Sequence, residues 1–460
     1  MTTQSLSIPD LSGLLPDWLP NQRWFGGKGR PVARYRVASA EEMSRDEPTV
    51  VVAIVEVTYE PGAGVTPAPE YYQLVLSLRA SRSDRLDHVL IGQLGSLWCY
   101  DAAHDRDAMS AVLGRLVEGR PSGGLTFGRF DDTTIDASQP NRPMNAEQSN
   151  TSVVFGDSYI LKVFRRVAPG VNPELEITSA LAAAECTSIV PPLGWIEGEV
   201  AGERATLALL QPFLRSATDG WAMAATSVRD LYAEADLHAD EVGGDFAAES
   251  VRLGAATAAV HVRLAEALPT RPASAEDLAR MQAAMRAKLD DAVHVVPELG
   301  PYAEPVRAAY ADIGNRAEPL TLQRVHGDYH LGQVIRTDTG WLLLDFEGEP
   351  ARPLAERRAL DTPLRDIAGM LRSFDYSARH LLADHADEPQ LQYRAQEWAE
   401  RNRAAFCRGY QRAGGIDPSA EQPLLRALEL DKAVYEVVYE ARNRPTWVHI
   451  PLGSIERLVS

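Results

Sequence analysis

The stretch Gln323-Arg324-Val325-His326-Gly327-Asp328-Tyr329-His330-Leu331-Gly332-Gln333-Val334-Ile335-Arg336 decides the reading of this chain, together with Thr337, the turn Asp338-Thr339-Gly340 and the run Trp341-Leu342-Leu343-Leu344-Asp345-Phe346-Glu347. Two apolar runs flank a turn, which predicts a β-hairpin. With 338–340 as a three-residue loop, Thr337 pairs with Trp341, and counting back along both strands sets Gln333 opposite Asp345. Opposed residues share a face. An amide oxygen and a carboxylate then emerge together at the open end of the hairpin, with Asp328 in the loop that feeds its first strand. Such oxygen donors suit Mg²⁺, which takes a few protein oxygens beside phosphates and water. His326 and His330 would suit zinc only on a helix, which Gly327 and Gly332 disfavour.

A second constellation lies upstream, in Glu147-Gln148-Ser149-Asn150-Thr151-Ser152-Val153-Val154-Phe155, Gly156-Asp157-Ser158 and Tyr159-Ile160-Leu161-Lys162-Val163-Phe164. A turn at 156–158 sets Ser152 opposite Lys162 and leaves Gln148, Ser149, Asn150 and Thr151 as a short polar loop above the lysine. Backbone N–H groups and small hydroxyls could cradle phosphate oxygens there while the ammonium neutralises charge. A lysine among Leu161 and Val163 needs a carboxylate, and Asn172-Pro173-Glu174-Leu175-Glu176 supplies two candidates at the start of a helix, with Asn172 as cap and Pro173 first in the helix. A helical-wheel count puts Glu174 nearer the apolar side set by Ile177 and Leu181. Taken singly, each feature has an ordinary structural explanation: a snorkelling lysine, a turn, a solvated helix face. The order strand lysine, helix carboxylate, His-x-Asp, amide and strand-end Asp is what carries information.

The rest of the chain sets the frame. Its 460 residues, 45% hydrophobic and 24% charged, describe a globular protein of two or three domains. The net charge of −18 (46 − 64) opposes attraction to nucleic acid or anionic membranes. Cys99, Cys186 and Cys407 encode neither a disulfide framework nor a thiolate metal cage. A start without a signal-peptide pattern and the lack of a long apolar run lead us to expect a cytoplasmic protein without membrane association. From Leu11 to about Arg82 the pattern reads mostly as strands, with Thr49–Tyr59 and Tyr71–Leu78 forming a hairpin around a long loop. Arg23-Trp24-Phe25-Gly26-Gly27-Lys28-Gly29-Arg30 is read first as a chain turn beneath packed rings and second as an anion site. After about Leu214, apolar residues at three- and four-residue spacing predict long helices over 245–268, 275–293, 389–413 and 420–441. Residues 1–90, 91–214 and 215–460 are the expected divisions: a β-rich part, a part with the polar loop and strand lysine, and a helical part with the His-Gly-Asp loop.

The order of motifs resembles the protein-kinase-like superfamily, and more closely its aminoglycoside and choline kinase branch with a His-Gly-Asp loop. A narrower resemblance, carried by runs such as Glu147–Thr151, Ile160–Arg166, Val325–Val334, Asp345–Arg358, Leu364–Phe374 and Trp447–Ile455, is to the actinobacterial maltokinases. It implies an α+β, bilobal kinase with a β-rich N-terminal cap domain and a mainly helical C-terminal lobe. It also implies ATP and Mg²⁺ as cofactors and phosphorylation of maltose to maltose 1-phosphate for α-glucan and glycogen synthesis. Asp328 would orient or deprotonate the acceptor hydroxyl, Gln333 and Asp345 would hold Mg²⁺, and Lys162 would meet the α- and β-phosphates. Glu176 aligns with the family's acidic position and is favoured as the lysine's partner. The family's glycine-rich loop is absent, since Gln148–Ser152 contains no glycine.

Sugar recognition is expected from the C-terminal lobe. Lys432, Tyr435, Glu436 and Tyr439 recur at three- and four-residue spacing on one helix, a stripe of rings and hydrogen-bonding groups. The alternative is a salt-bridged face pairing Lys432 with Glu436. His330 is a further sugar candidate by its nearness to Asp328. Asp366 resembles the aspartate that secures the catalytic-loop backbone, and Glu349–Arg358 is expected to form fixed ion pairs. Competing functions are a glucosamine, other aminosugar or aminoglycoside kinase on the same scaffold, to which Glu436 and Glu440 would be suited, or a non-catalytic nucleotide- or glucan-binding regulator. Association with trehalose or α-glucan pathway enzymes is the partnership the resemblance suggests.

Overall fold

The computed structural model describes residues 11–62, 67–130, 133–144, 149–314, 319–350, 352–382 and 388–460. These fall into two compact units: Met1–Ser179 with Pro191–Arg215, and Ala180–Val190 with Ser216–Ser460.

The first unit begins with helix α1 (Leu11–Trp18), where the sequence reading expected strand. It continues with an antiparallel sheet of β1 (Val32–Ser44), β2 (Thr49–Tyr59), β3 (Glu70–Arg79), β4 (Leu90–Leu94) and β5 (Leu97–Asp101) in the order β1-β2-β3-β5-β4. β2 reads as an unbroken apolar run because both its faces are covered. Val51, Ala53, Val55 and Val57 join a core with Leu11 and Leu15 of α1. Val50, Val52 and Ile54 turn to a second core shared with helix α2 (Arg106–Glu118). The Trp24–Arg30 turn follows the packing interpretation: Gly26 N donates to the Tyr72 hydroxyl at 3.2 Å, and Arg30 pairs with Glu70 at 2.7 Å.

A second sheet completes the unit, in the order β6-β11-β12-β9-β8-β7. Its strands are β6 (Thr126–Arg129), β7 (Asn141–Pro143), β8 (Asn150–Phe155), β9 (Tyr159–Phe164), β11 (Gly194–Val200) and β12 (Glu203–Pro212), while the short β10 (Arg166–Val167) pairs with β3 of the first sheet. Helix α3 (Pro173–Ala183) follows β10. Arg165, 1% exposed, meets Asp101 at 2.7 Å and so fastens the end of β9 to the end of β5.

The second unit is mainly helical. Two strands, β13 (Thr218–Asp219) and β14 (Arg271–Pro272), alternate with α4 (Gly220–Ala233), α5 (Ala247–Ala267), α6 (Ala275–Val295) and α7 (Ala303–Ala311). Then come β15 (Thr321–Leu322), the hairpin β16 (Val334–Thr337) and β17 (Gly340–Leu343), and α8 (Leu354–Arg357). The chain ends with α9 (Leu364–Arg379), α10 (Pro389–Arg412), α11 (Gln422–Asn443) and α12 (His449–Val459). The predicted long helices therefore form within a few residues of their expected limits. α5 and α10 approach so closely that a Cβ on Gly254 would lie 2.1 Å from the Phe406 carbonyl, and one on Gly409 2.0 Å from that of Val251. Phe246, Phe374, Trp398 and Phe406 pack edge-on and stacked in the core behind them. Among the described residues no helix is long and apolar enough to cross a membrane.

Candidate active site

The loop from His326 to Gln333 is held by its backbone. Asp366, near the start of α9 and 1% exposed, accepts from His326 N at 2.8 Å and Gly327 N at 2.9 Å. His261 Nε2 reaches the same carboxylate at 3.0 Å, and its Nδ1 meets the Tyr410 hydroxyl at 2.8 Å. A carboxylate this buried is tolerated because every approach to it is a donor. Burial alone would push Asp366 up, yet His261 and the loop N–H groups hold it below the usual carboxylate range. Gly327 takes φ +83°, a left-handed turn that suits glycine. Gly369 of α9 lets the helix touch the loop, since a Cβ there would stand 2.5 Å from the Tyr329 carbonyl. The ring of His326 donates from Nε2 to the Leu344 carbonyl at 2.7 Å, tying the loop to the hairpin.

This anchoring presents Asp328 to α11. Lys432 Nζ lies 3.1 Å from Asp328 Oδ1. Burial opposes ionisation of Asp328, but the Lys432 ammonium and then His330 outweigh it and hold the carboxyl below its ordinary value. Burial also works against the charge on Lys432, and Asp328, Glu349 and Glu436 together raise it instead. Burial lowers the His330 imidazole, against the pull of Asp328, and its Nδ1 accepts from Gly332 N at 3.0 Å. Beyond the lysine, Tyr435 and Tyr439 stack at 6.2 Å. The expected alternative of a Lys432–Glu436 hydrogen-bonded pair gives way to a different arrangement. Lys432 reaches Asp328, and Glu436 accepts from the buried Arg372 at 2.6 Å.

Gln333 and Asp345 do meet, by a different register from the predicted one. Thr337 pairs with Gly340 and Arg336 with Trp341, so the turn has two residues and the strands shift by one. Leu344, not Asp345, then stands beside Gln333, its N donating to the Gln333 carbonyl at 2.9 Å. Asp345 recovers the contact by leaving the strand with φ +61°, and Gln333 Nε2 donates to its Oδ2 at 3.1 Å. A non-glycine residue in this region costs about 1–3 kcal/mol, the kind of strain that concentrates at functional sites. The Asp345 carboxylate and the Gln333 side-chain carbonyl are the oxygen donors that Mg²⁺ would use here, the amide nitrogen being turned to the carboxylate in this structure.

In the first unit Ser152 pairs with Lys162 across β8 and β9, as predicted. Lys162 Nζ lies 2.8 Å from Glu174 Oε2, with the two side chains only 12% and 4% exposed. The ion pair assigned to Glu176 in the sequence thus falls to Glu174. Glu174 N is capped by Asn172 Oδ1 at 2.8 Å, which starts the helix at Pro173. Position 174 then shares the inward face with Ile177 and Leu181, whereas residue 176 is about 200° further round the helix. Glu174 is buried and Glu176 half-buried. Of the proposed cradle, Gln148 lies outside the described residues. Ser149 is exposed, its Oγ accepting from Asn150 Nδ2 at 3.4 Å, and Ser152 is buried. Thr151 Oγ1 accepts from Arg165 Nε at 2.8 Å, a role the sequence did not signal.

A cleft of about 770 Å³ opens in the second unit beside Gly327, reaching Glu349, Arg352, Lys288, Arg365 and Asp431. Asp431 pairs with Lys288 at 2.8 Å and Arg365 at 3.4 Å, joining α6, α9 and α11. No local sequence pattern announced this group, because its members come from three distant segments. Within the charged 349–358 run, Glu349 pairs with Arg352 at 2.9 Å.

Residues 18–105 match the maltokinase N-terminal cap domain, and residues 141–415 match the phosphotransferase enzyme family. A glucosamine kinase of Streptacidiphilus jiangxiensis is 30% identical over 330 residues, which span 69% of this chain and 73% of that one. A glucosamine kinase of Mycolicibacterium smegmatis is 27% identical over 337 residues, 69% of this chain and 79% of the relative. In fold, the chain is similar to a crystal structure of a glucosamine kinase, with a TM-score of 0.73 at 23% identity, covering 98% of this chain and 100% of the other. The fold is α+β, with a β-rich N-terminal cap domain and a helical C-terminal region. The chain belongs to the phosphotransferase enzyme family of the protein-kinase-like superfamily and carries a maltokinase N-terminal cap domain.

Proposed function

We propose that the protein is an ATP-dependent sugar kinase whose acceptor is maltose, giving maltose 1-phosphate for α-glucan and glycogen synthesis. The observation that carries the choice of acceptor is the ammonium of Lys432, 3.1 Å from the Asp328 carboxylate. An aminosugar would bring a second cation to that carboxylate. The two glutamates that could have received it are engaged elsewhere, Glu436 by Arg372 and Glu440 by Arg444. A neutral sugar meets no such repulsion.

Phosphoryl transfer asks mainly for positioning and charge neutralisation. Asp328 aligns the anomeric hydroxyl and accepts its proton as the oxygen forms its bond to the γ-phosphorus and ADP departs. Because an anomeric hydroxyl is more acidic than an ordinary alcohol, alignment carries more of the effect than basicity. His330, Lys432, Tyr435 and Tyr439 form the sugar side, while Glu436 stays engaged by the buried Arg372. Lys162, steadied by Glu174, meets the nucleotide phosphates, with Ser149 and the backbone at the start of β8 as the cradle. Gln333 and Asp345 would hold Mg²⁺, which would supply neutralisation of phosphate charge. Residues 1–90, 91–214 and 215–460 serve as cap, phosphate-handling and sugar-handling parts of a cytoplasmic enzyme that works beside trehalose and α-glucan enzymes.

The second reading is a glucosamine kinase, favoured by the names of the relatives and by Glu349, whose charge acts on both Lys432 and Tyr435. Incubation with Mg-ATP and maltose, glucose, glucosamine or kanamycin, with products assigned by phosphorus NMR, separates them. Maltose consumption with an anomeric phosphate supports the proposal. Turnover of glucosamine alone replaces it with the second reading, and no turnover of any acceptor points to a non-catalytic regulator.

A further inference from the structure

The second unit carries more ordered aromatic surface than one sugar ring requires. It begins at the Asp328–Lys432 pair, where the lysine ammonium lies 5.1 Å from the Tyr435 ring centroid. Tyr435 stacks on Tyr439 with planes 27° apart. Next comes Arg444, its guanidinium 5.7 Å from the Tyr439 ring and 4.4 Å from that of Trp447. From Trp447 the rings continue to Tyr376 at 6.1 Å and His380 at 6.3 Å, and Trp221 adjoins these two at 6.2 and 5.0 Å. Tyr439 is 43% exposed and Arg444 is exposed, while Tyr435, Trp447, Tyr376 and Trp221 are half-buried. These rings differ from the enclosed Phe374–Trp398–Phe406 cluster in keeping solvent-facing surface.

A single buried carboxylate fixes the middle of this track. Glu440, 2% exposed, accepts from the Tyr376 hydroxyl at 2.5 Å and from Arg444 at 2.8 and 2.6 Å. Burying a carboxylate is unfavourable unless donors surround it, and here the donors are the track's own members. Their side chains are thereby held before any ligand arrives, which lowers the entropic cost of binding. Rigid rings and a planar guanidinium suit one ligand chemistry in particular. Pyranose rings offer an apolar C–H face for stacking and a rim of hydroxyls that accept from N–H donors.

We propose that this track binds the glucosyl units of a linear α-glucoside beyond the one whose hydroxyl faces Asp328, so that the ligand class extends to malto-oligosaccharides. The inference rests on the neutral-sugar reading of the acceptor site. From Lys432 to Asn443 alone, α11 runs about 16 Å, and Trp447, Tyr376 and Trp221 lengthen the path further.

The test titrates the full chain with maltose and with maltotetraose, followed by tryptophan fluorescence and calorimetry, in the wild type and in Trp447→Ala, Trp221→Ala and Trp447→Phe. Wild type should bind maltotetraose about 2- to 10-fold more tightly than maltose, the scale of one or two ring contacts. Trp447→Ala should erase that gain and Trp447→Phe should retain most of it, with Trp447→Phe unfolding near the wild-type temperature. Equal affinities for the two sugars in the wild type, or a gain that survives in both alanine variants, would overturn the proposal. The two readings fail separately. Phosphorylation of glucosamine alone, with a Trp447-dependent gain for maltotetraose, removes the acceptor assignment and keeps the track; phosphorylated maltose with no chain-length gain removes the track only.

Discussion

The lysine–carboxylate pairs Lys162–Glu174 and Lys432–Asp328 are built differently. Lys162 and Glu174 are 12 residues apart, joined by the end of one strand and the first turn of the next helix. Lys432 and Asp328 are 104 residues apart and meet only because α9 and α11 fold against the His326–Gln333 loop. The first pair is nearly dry on both sides, 12% and 4% exposed, while the second is 28% and 22% exposed. A closed pair is a fixed support for one charge. A more open pair leaves a carboxylate within reach of solvent, with its charge state set by a neighbour.

The sharpest way to break the comparison is Asp328→Asn, which keeps the shape of the second pair and removes its negative charge. Turnover should fall by at least ~10²-fold, the scale of lost general-base assistance, with nucleotide affinity nearly unchanged. Steady-state kinetics with nucleotide titration checks this, and near-normal turnover would remove Asp328 from its role. Next in size is Lys162→Met, which leaves Glu174 buried without its ammonium. Stability should drop by about 3–5 kcal/mol in denaturant unfolding, the cost of breaking a buried pair. Adding Glu174→Met should restore much of the stability and none of the activity. If the single variant is as stable as the wild type, the pair is not the closed support described.

The smallest effect sharpens the contrast through pH. Lys432 helps to hold Asp328 below its ordinary pKa. A carboxyl depressed in the folded state contributes stability above its unfolded pKa, about 3.9, and loses it as pH falls through the folded value. Lys432→Met should therefore move the acid limb of kcat/KM to higher pH and reduce the stability that Asp328 contributes above its unfolded pKa. A pH–rate profile with an unmoved acid limb would show that Lys432 acts on the sugar alone.

Much of the site was legible in the sequence where its partners are close along the chain. The β8–β9 register followed from a three-residue turn, so Ser152 met Lys162 as expected. At the second hairpin the same reasoning erred by one residue, because Thr337–Gly340 closes with two central residues instead of three. Alternation alone cannot distinguish these turns when Trp341, Leu342 and Leu343 are all apolar and all buried. Gln333 and Asp345 still meet, through the backbone of Asp345, whose positive φ no pattern of residue types announces. Glu176 was favoured over Glu174 by likeness, although helix periodicity pointed the other way. Lys432 and Asp328 were both placed at the site, but their pairing was not read.

By itself the sequence determined the long helices, the pairing of Thr49–Tyr59 with Tyr71–Leu78, the strand lysine followed by an acidic helix start, and the His-Gly-Asp loop before an apolar hairpin. Periodicity and short-range spacing are local, and the chain records them directly. Only the tertiary structure decided that Lys432 would neutralise Asp328, that Glu436 and Glu440 would be drawn to Arg372 and Arg444, and that rings from α4, α9, α11 and the segment after α11 would line up. Those choices depend on which distant helices touch, and on charges that find partners only once water has been excluded between them.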